Sequence, residues 1–186
     1  MPREPHLLET PRLTLIPSDP RQLEILYERP AESVSIAGYG LAAELRGFYA
    51  SARPQISPEW LARLRAAAAP DPWQHGFFLA ERTRREVIGM AGFKGPPDGD
   101  GVVEIAYGVV PSVEGRGYAT EAARALVRYA AAEPRVRTIR AHTLPEPNAS
   151  TRVLRKCGFV HIGEVIDPDD GPVWRWERNA RHIDAP

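Results

Sequence analysis

The chain has one cysteine among 186 residues, so no internal disulfide can staple it and burial alone must hold the fold. No apolar run approaches the length of a membrane span, and residues 1–9 lack the apolar core of a secretion signal. Neither sign of charge is in excess: Lys plus Arg and Asp plus Glu are 24 each. Without a global field there is nothing to draw in nucleic acid or an anionic membrane, and any basic patch must be local. Repeats and low-complexity segments are missing too. His75 and His161 stand isolated and far apart, which suggests no metal site. These absences lead us to expect a cytoplasmic protein with no nucleic-acid and no membrane partner. The length suits one domain over residues 1–186, with a core at about 8–178 and a loose tail at 179–186.

What the chain does contain is a strand that runs into a small-residue loop and then into a long helix. Residues 102–110 are rich in β-branched side chains, and Pro111 ends the strand by removing a backbone donor. From Tyr118 onward, Ala119, Ala122, Ala123, Leu126, Val127 and Ala130 recur at intervals of three and four, the apolar stripe of a helix. Between strand and helix, Gly115 and Gly117 let backbone amides turn toward one point without side-chain obstruction. The first helical turn adds unpaired N–H groups and the positive end of its dipole. An anion there needs no dedicated lysine. A Walker-type nucleotide motif is absent, and Gly115-x-Gly117 followed by Ala119 lacks the third glycine of a dinucleotide fingerprint.

The run Glu114-Gly115-Arg116-Gly117-Tyr118-Ala119 resembles the acyl-CoA loop of the GNAT N-acetyltransferases, Gln/Arg-x-x-Gly-x-Gly/Ala, with Glu114 replacing the usual Gln or Arg. A second segment, Asn148-Ala149-Ser150-Thr151-Arg152-Val153-Leu154-Arg155-Lys156-Cys157-Gly158-Phe159, is similar to the late helix of that family, which ends in a Gly-Phe step into a strand. The opening, Leu8-Glu9-Thr10-Pro11-Arg12-Leu13-Thr14-Leu15-Ile16-Pro17, resembles the first strand of the ribosomal-protein-alanine (Rim-type) branch, although Ile16 stands where an arginine is often found. The resemblance spans roughly residues 8–178 and is thinnest over residues 31–72.

Read with that resemblance, the chain is expected to be α/β: a mixed, strongly twisted sheet with splayed central strands and helices on both faces, in the order β-α-α-β-β-β-α-β-α-β-β. Strands are expected at residues 10–16, 76–82, 86–94, 102–110, 137–143, 159–166 and 172–178. Helices are expected from Asp19 or Pro20 through Tyr27, at 57–69 behind a Ser57-Pro58 cap, at 118–132 and around 148–157. The resemblance places the splay between strands 102–110 and 137–143, with acyl-CoA in the gap.

The implied reaction is transfer of an acetyl group from acetyl-CoA to a primary amine by direct attack. No metal takes part, and the acceptor is a protein N-terminus or a small-molecule amine. The protein would act as a monomer or homodimer. The thioester carbonyl would meet a backbone amide at Val109 or Val110. The amides of Gly115, Arg116, Gly117, Tyr118 and Ala119 would hold the pyrophosphate, with Thr120 close by. Asn148 would bond the pantetheine arm, or else cap the helix. Glu104, a carboxylate in an apolar strand, is the candidate for deprotonating the amine, with a salt-bridge role as its rival. Ser150 is the candidate proton donor to the thiolate, although an N-cap role fits Ser150 and Asn148 equally well. The tyrosine that many family members use as an acid would fall near Leu154 and is missing. Cys157 reads as a core residue, His142 as structural or pocket-lining, and Tyr107, Trp60 and Trp73 as core or acceptor-pocket aromatics. Two other functions compete: a non-catalytic acyl-CoA-binding or sensing module, and a phosphate-binding α/β domain outside the family.

Overall fold

A computed structural model describes residues 7–52, 56–168 and 170–181. The chain opens with a tight hairpin, β1 (Leu8–Glu9) and β2 (Leu13–Pro17), in which Leu8 faces Leu15. Helix α1 (Pro20–Glu28) follows; the Asp19 side chain accepts from the Arg21 and Gln22 amides, and Pro20 fills a first-turn site that needs no N–H. Next come β3 (Gly40–Leu41), α2 (Ala43–Ala52), α3 (Pro58–Ala66) and the short α4 (Pro72–His75). Ser57 caps α3 by accepting from the Trp60 amide, as its Ser-Pro signature predicts. The remaining elements are β4 (Phe77–Glu81), β5 (Glu86–Phe93), β6 (Val102–Val109), a 3-10 turn at Pro111–Val113, α5 (Tyr118–Ala131), β7 (Thr138–Thr143), α6 (Ala149–Lys156), β8 (Val160–Asp167) and β9 (Gly171–Asn179).

Among the described residues nine strands form one mixed sheet in the order β1-β2-β4-β5-β6-β7-β9-β8, with β3 lying parallel to the end of β5 that β6 does not reach. Among the described residues only β6/β7 and β3/β5 are parallel pairs. The β6/β7 pairing is brief. It joins Val102, Val103 and Glu104 to Thr138, Ile139 and Arg140, while β6 stays with β5 as far as Val109 and β7 stays with β9 as far as Thr143. The sheet therefore splits after Glu104 between the two strands named from sequence.

Helices cover both faces. Tyr129 of α5 packs on Phe93, whereas Tyr49 of α2 donates to the Met90 sulfur. Met90 and Phe93 are three apart on one strand and so point to opposite sides. α6 packs on α5, and α1 and α3 pack around one another on the α2 side. Ala122, Ala123, Leu126 and Ala130 have no exposed surface, because small side chains let α5 lie close to the sheet.

Three expectations need correction. The first strand is a hairpin with a turn at residues 10–12, because Thr10 turns its amide and hydroxyl back on the Leu13 carbonyl. Helix α3 stops at Ala66 and does not reach residue 69. The tail begins later than residue 179: Asn179 pairs with Thr138, and the buried Ala180 donates its N–H to the Arg137 carbonyl. The rest of the expected tail, residues 182–186, lies outside the described residues.

Candidate active site

Two features converge where β6 leads into α5. The first is the loop. Gly115 and Gly117 have φ of +73° and +84°, a region L side chains rarely adopt. Gly117 is the N-cap of α5 and offers no capping side chain; the first intrahelical bond runs from the Glu121 amide to the Gly117 carbonyl at 3.1 Å. The amides of Tyr118, Ala119 and Thr120 are thus unused by the helix. Residues 114–117, including the Glu114 and Arg116 side chains, are exposed, so the loop opens to solvent.

A carboxylate in that first turn, Glu121, would oppose an anionic ligand if it were unpaired. It is turned away into the β1–β2 hairpin, where it accepts from the Thr10 hydroxyl, from the Arg12 and Leu13 amides, and from the Arg12 guanidinium at 2.8 Å. Burial pushes the Glu121 carboxyl up, but the bonds from Thr10 and Arg12 outweigh it and hold the group below its ordinary value. Arg12 also donates to the Arg116 carbonyl at 2.9 Å and lies 4.3 Å above the Tyr118 ring, so one side chain braces both ends of the loop. No local sequence signal announces a contact made across 109 residues. Arg12→Gln should weaken acetyl-CoA binding about tenfold, the scale of one charged hydrogen bond. Calorimetry checks this, and an unchanged affinity would confine Arg12 to holding the hairpin.

The second feature is the split. Lys94 donates its amide to the Glu104 carbonyl at 2.9 Å and Val110 donates to the Ile88 carbonyl at 2.8 Å. Alternate residues of β6, from Glu104 to Val110, therefore face β5, and Ile105, Tyr107 and Val109 turn their amides to the side that β7 has left. This corrects one expectation: the Val110 amide is committed to β5. Val109 keeps the outward N–H.

Glu104 sits at the closed end of the split, with Oε1 2.7 Å from Lys94 Nζ and 3.1 Å from His142 Nδ1, the latter off the line of a hydrogen bond. Burial works against the Lys94 charge, yet its bond to Glu104 and the nearby Asp167 and Asp170 raise its pKa overall. Glu104 is thus an ion-pair partner as well as a base candidate. At the other side of the gap, Asn148 is the N-cap of α6: its side chain accepts from the Thr151 amide at 3.0 Å, and Thr151 Oγ1 accepts from the Asn148 amide at 3.1 Å. That settles the rivalry over the cap in favour of Asn148 and leaves Ser150, half-buried in the first turn, without that duty.

Cys157 is buried with its thiol 3.7 Å from the Thr120 carbonyl, a core position under α5. The Tyr107 hydroxyl is buried without a hydrogen-bond partner among the described residues, and burial, with Cys157 adding to it, pushes its pKa well up. Trp60 and His75 line a cavity on the α1–α3 side of the sheet, whereas Trp73 packs on Phe93 and Tyr129. His75, which sequence alone offered no reason to place at a site, belongs to that wall.

The family profile for the acetyltransferase (GNAT) domain matches residues 12–160. An uncharacterized N-acetyltransferase, YjdG, of Bacillus subtilis (strain 168) is 28% identical over 155 residues, covering 83% of this chain and 89% of the relative. Among solved structures, a ribosomal-protein alpha-N-acetyltransferase, RimL, in complex with coenzyme A has a TM-score of 0.60 at 16% identity, covering 94% of this chain and 98% of that one. A chimeric spermidine N-acetyltransferase based on SpeG from Vibrio cholerae has a TM-score of 0.62 at 17% identity, covering 91% and 96%. Two structures described by different acceptors resemble this chain equally, so the Rim-type branch is not singled out. With the profile spanning most of the chain, and the uncapped helix and split strands in place, the chain belongs to the GNAT acetyltransferase family and is an N-acetyltransferase.

Proposed function

We propose that this enzyme moves an acetyl group from acetyl-CoA to a primary amine by direct attack, in the cytoplasm, on a small molecule or a protein N-terminus. Bound acetyl-CoA supplies an acyl group activated by a thiolate leaving group. The amides of residues 115–120 bind its pyrophosphate, aided by the helix dipole. The Asn148 side-chain amide, whose N–H donors the cap does not use, contacts the pantetheine arm. The outward Val109 N–H receives the carbonyl oxygen, where negative charge develops as the amine attacks. Glu104 shares a strand face with Gly108 but lies roughly 13 Å down the strand from it. Over that distance it takes the amine proton only through a chain of several waters, not by direct contact. Ser150 returns a proton to the thiolate. The observation that carries this reading is the split of β6 from β7 beside an α5 N-terminus that has no capping side chain of its own. Thiol release from acetyl-CoA across a panel of amines tests it: release matched by N-acetylated product supports the reading, and binding without release would favour an acyl-CoA sensor.

The cap assignment separates two variants. Asn148→Ala should cost about 1 kcal/mol of stability, the usual loss for an N-cap. Ser150→Ala should leave the melting temperature in place and lower turnover, less so for acyl donors whose leaving thiol is more acidic. Melting and turnover measured on the same samples check both. Normal turnover in Ser150→Ala would pass the proton-donor role to water or to another group such as Tyr107, whose hydroxyl has no hydrogen-bond partner among the described residues.

A further inference from the structure

A cavity of about 470 Å³ lies between α1–α3 and strands β5 and β6, in the range that holds a small organic molecule. Its floor is formed by Met90 and Gly108, partners across the two strands. A Cβ built on Gly108 would meet nothing within 4 Å, so the cavity reaches bare strand backbone one residue from the outward Val109 N–H. The wall opposite is aromatic. The Tyr27 ring stands edge-on to Tyr49 at 4.9 Å and to Trp60 at 5.5 Å, and Phe48, 49% exposed, marks the mouth.

The polar groups on these walls are few and mostly engaged. Glu44 is the one carboxylate among the lining residues, and its two oxygens already accept from the Ser112 amide at 3.1 Å and the Ser112 hydroxyl at 2.8 Å. His75 accepts from the Asp71 amide on Nδ1 at 3.0 Å, so in the neutral ring the N–H is on Nε2; burial lowers its pKa, despite Asp71 and Asp19 nearby. Away from Glu44, which is exposed, a second ammonium on the acceptor would be desolvated among apolar and aromatic walls. A single amine gains from the same surroundings, because burial disfavours its charged form and attack needs the neutral one.

We infer that the acceptor is a primary amine carried on an aromatic or comparably bulky, uncharged body, seated between Trp60, Phe48 and Met90 with its nitrogen over Gly108. This inference rests on the acetyl-transfer reading above and narrows its acceptor. Polyamines and N-termini with small first side chains fit poorly, since they would leave the aromatic wall unfilled.

The test uses the full chain with saturating acetyl-CoA and four acceptors: 2-phenylethylamine, a peptide beginning with phenylalanine, a peptide beginning with alanine, and spermidine. The better of the two aromatic acceptors should exceed both others in kcat/KM by about tenfold or more, a scale set by filling an apolar pocket. Which aromatic acceptor leads tells whether the body is a free molecule or a chain end. Phe48→Ser, at an exposed site that keeps the fold, and Trp60→Leu should each erode that preference while the KM for acetyl-CoA stays put. Equal or better use of spermidine or the alanine peptide overturns the inference, as does a preference that survives both substitutions. Binding of each aromatic acceptor in the presence of CoA, followed by tryptophan fluorescence, is read separately. Failure of both to bind overturns the inference even if other amines are acetylated, whereas binding without thiol release from any amine overturns the acetyl-transfer reading alone.

Discussion

Gly117→Asp should raise the dissociation constant for acetyl-CoA about 100-fold or more while leaving the chain folded. At the N-cap of α5 the Asp carboxylate would stand beside the amides of the first turn, on a Cβ only 3.4 Å from the Arg12 guanidinium that braces the loop, and would compete with the ligand for that positive end. The ligand would then lose hydrogen bonds to charged oxygens and meet a like charge instead, and two such bonds account for about that factor. Strain at φ +84° is a smaller effect, because Asp enters the left-handed region more readily than most residues. Gly117→Ala controls for it, having the same backbone problem without the carboxylate. Calorimetry on all three proteins decides: an aspartate variant that binds as tightly as the parent removes the anion pocket from the account.

Glu104→Gln should lower turnover about 10²-fold or more with acetyl-CoA affinity unchanged, since it removes a base and leaves the cofactor loop intact. The structure supplies a control that the sequence did not. Lys94 holds Glu104 at 2.7 Å, so Glu104→Gln also breaks an ion pair, and Lys94→Gln breaks the same pair while keeping the carboxylate. Lys94 is half exposed, and pairs of this kind contribute little to stability. A base role therefore predicts a large loss for Glu104→Gln and a small one for Lys94→Gln, with a changed pH–rate profile only in the first. Equal losses in the two variants, or an unaltered profile, would make Glu104 structural.

The parts of the site that follow from local chain chemistry could be read from the sequence. Two glycines before an alanine-striped helix demand a turn and an open helix end, and both are present at Gly115, Gly117 and α5. The split between β6 and β7 came through family resemblance, because periodicity says where strands run and nothing about where two of them part. Within the gap, the choice between Val109 and Val110 needed the hydrogen-bond parity of β6, which depends on its register with β5. The rivalry of Asn148 and Ser150 stood because both residue types cap well; the reciprocal bonds between Asn148 and Thr151 broke it.

Least legible was the stretch over residues 31–72, where β3 has two residues and α2 and α3 are short helices fixed by their neighbours. That stretch supplies Phe48 and Trp60 to the cavity. The brace between Arg12 and Glu121 joins the chain's first hairpin to its long helix, a contact that only the assembled fold creates. His75 was invisible for the same reason, since its place on the wall follows from α4, four residues long, closing at Gly76.

The central claim is that the helix end and the strand gap act as one site, the first holding phosphate and the second the acyl carbonyl. Backbone amide chemical shifts followed by NMR during titration test it most directly. CoA should move the amides of Gly115, Arg116, Gly117, Tyr118, Ala119 and Thr120 and leave Val110 nearly still, since its N–H stays on Ile88. Replacing CoA with acetyl-CoA should then shift Val109 further while the loop amides hold their positions. Shifts centred away from the loop, or a Val109 amide indifferent to the acetyl group, would contradict the account.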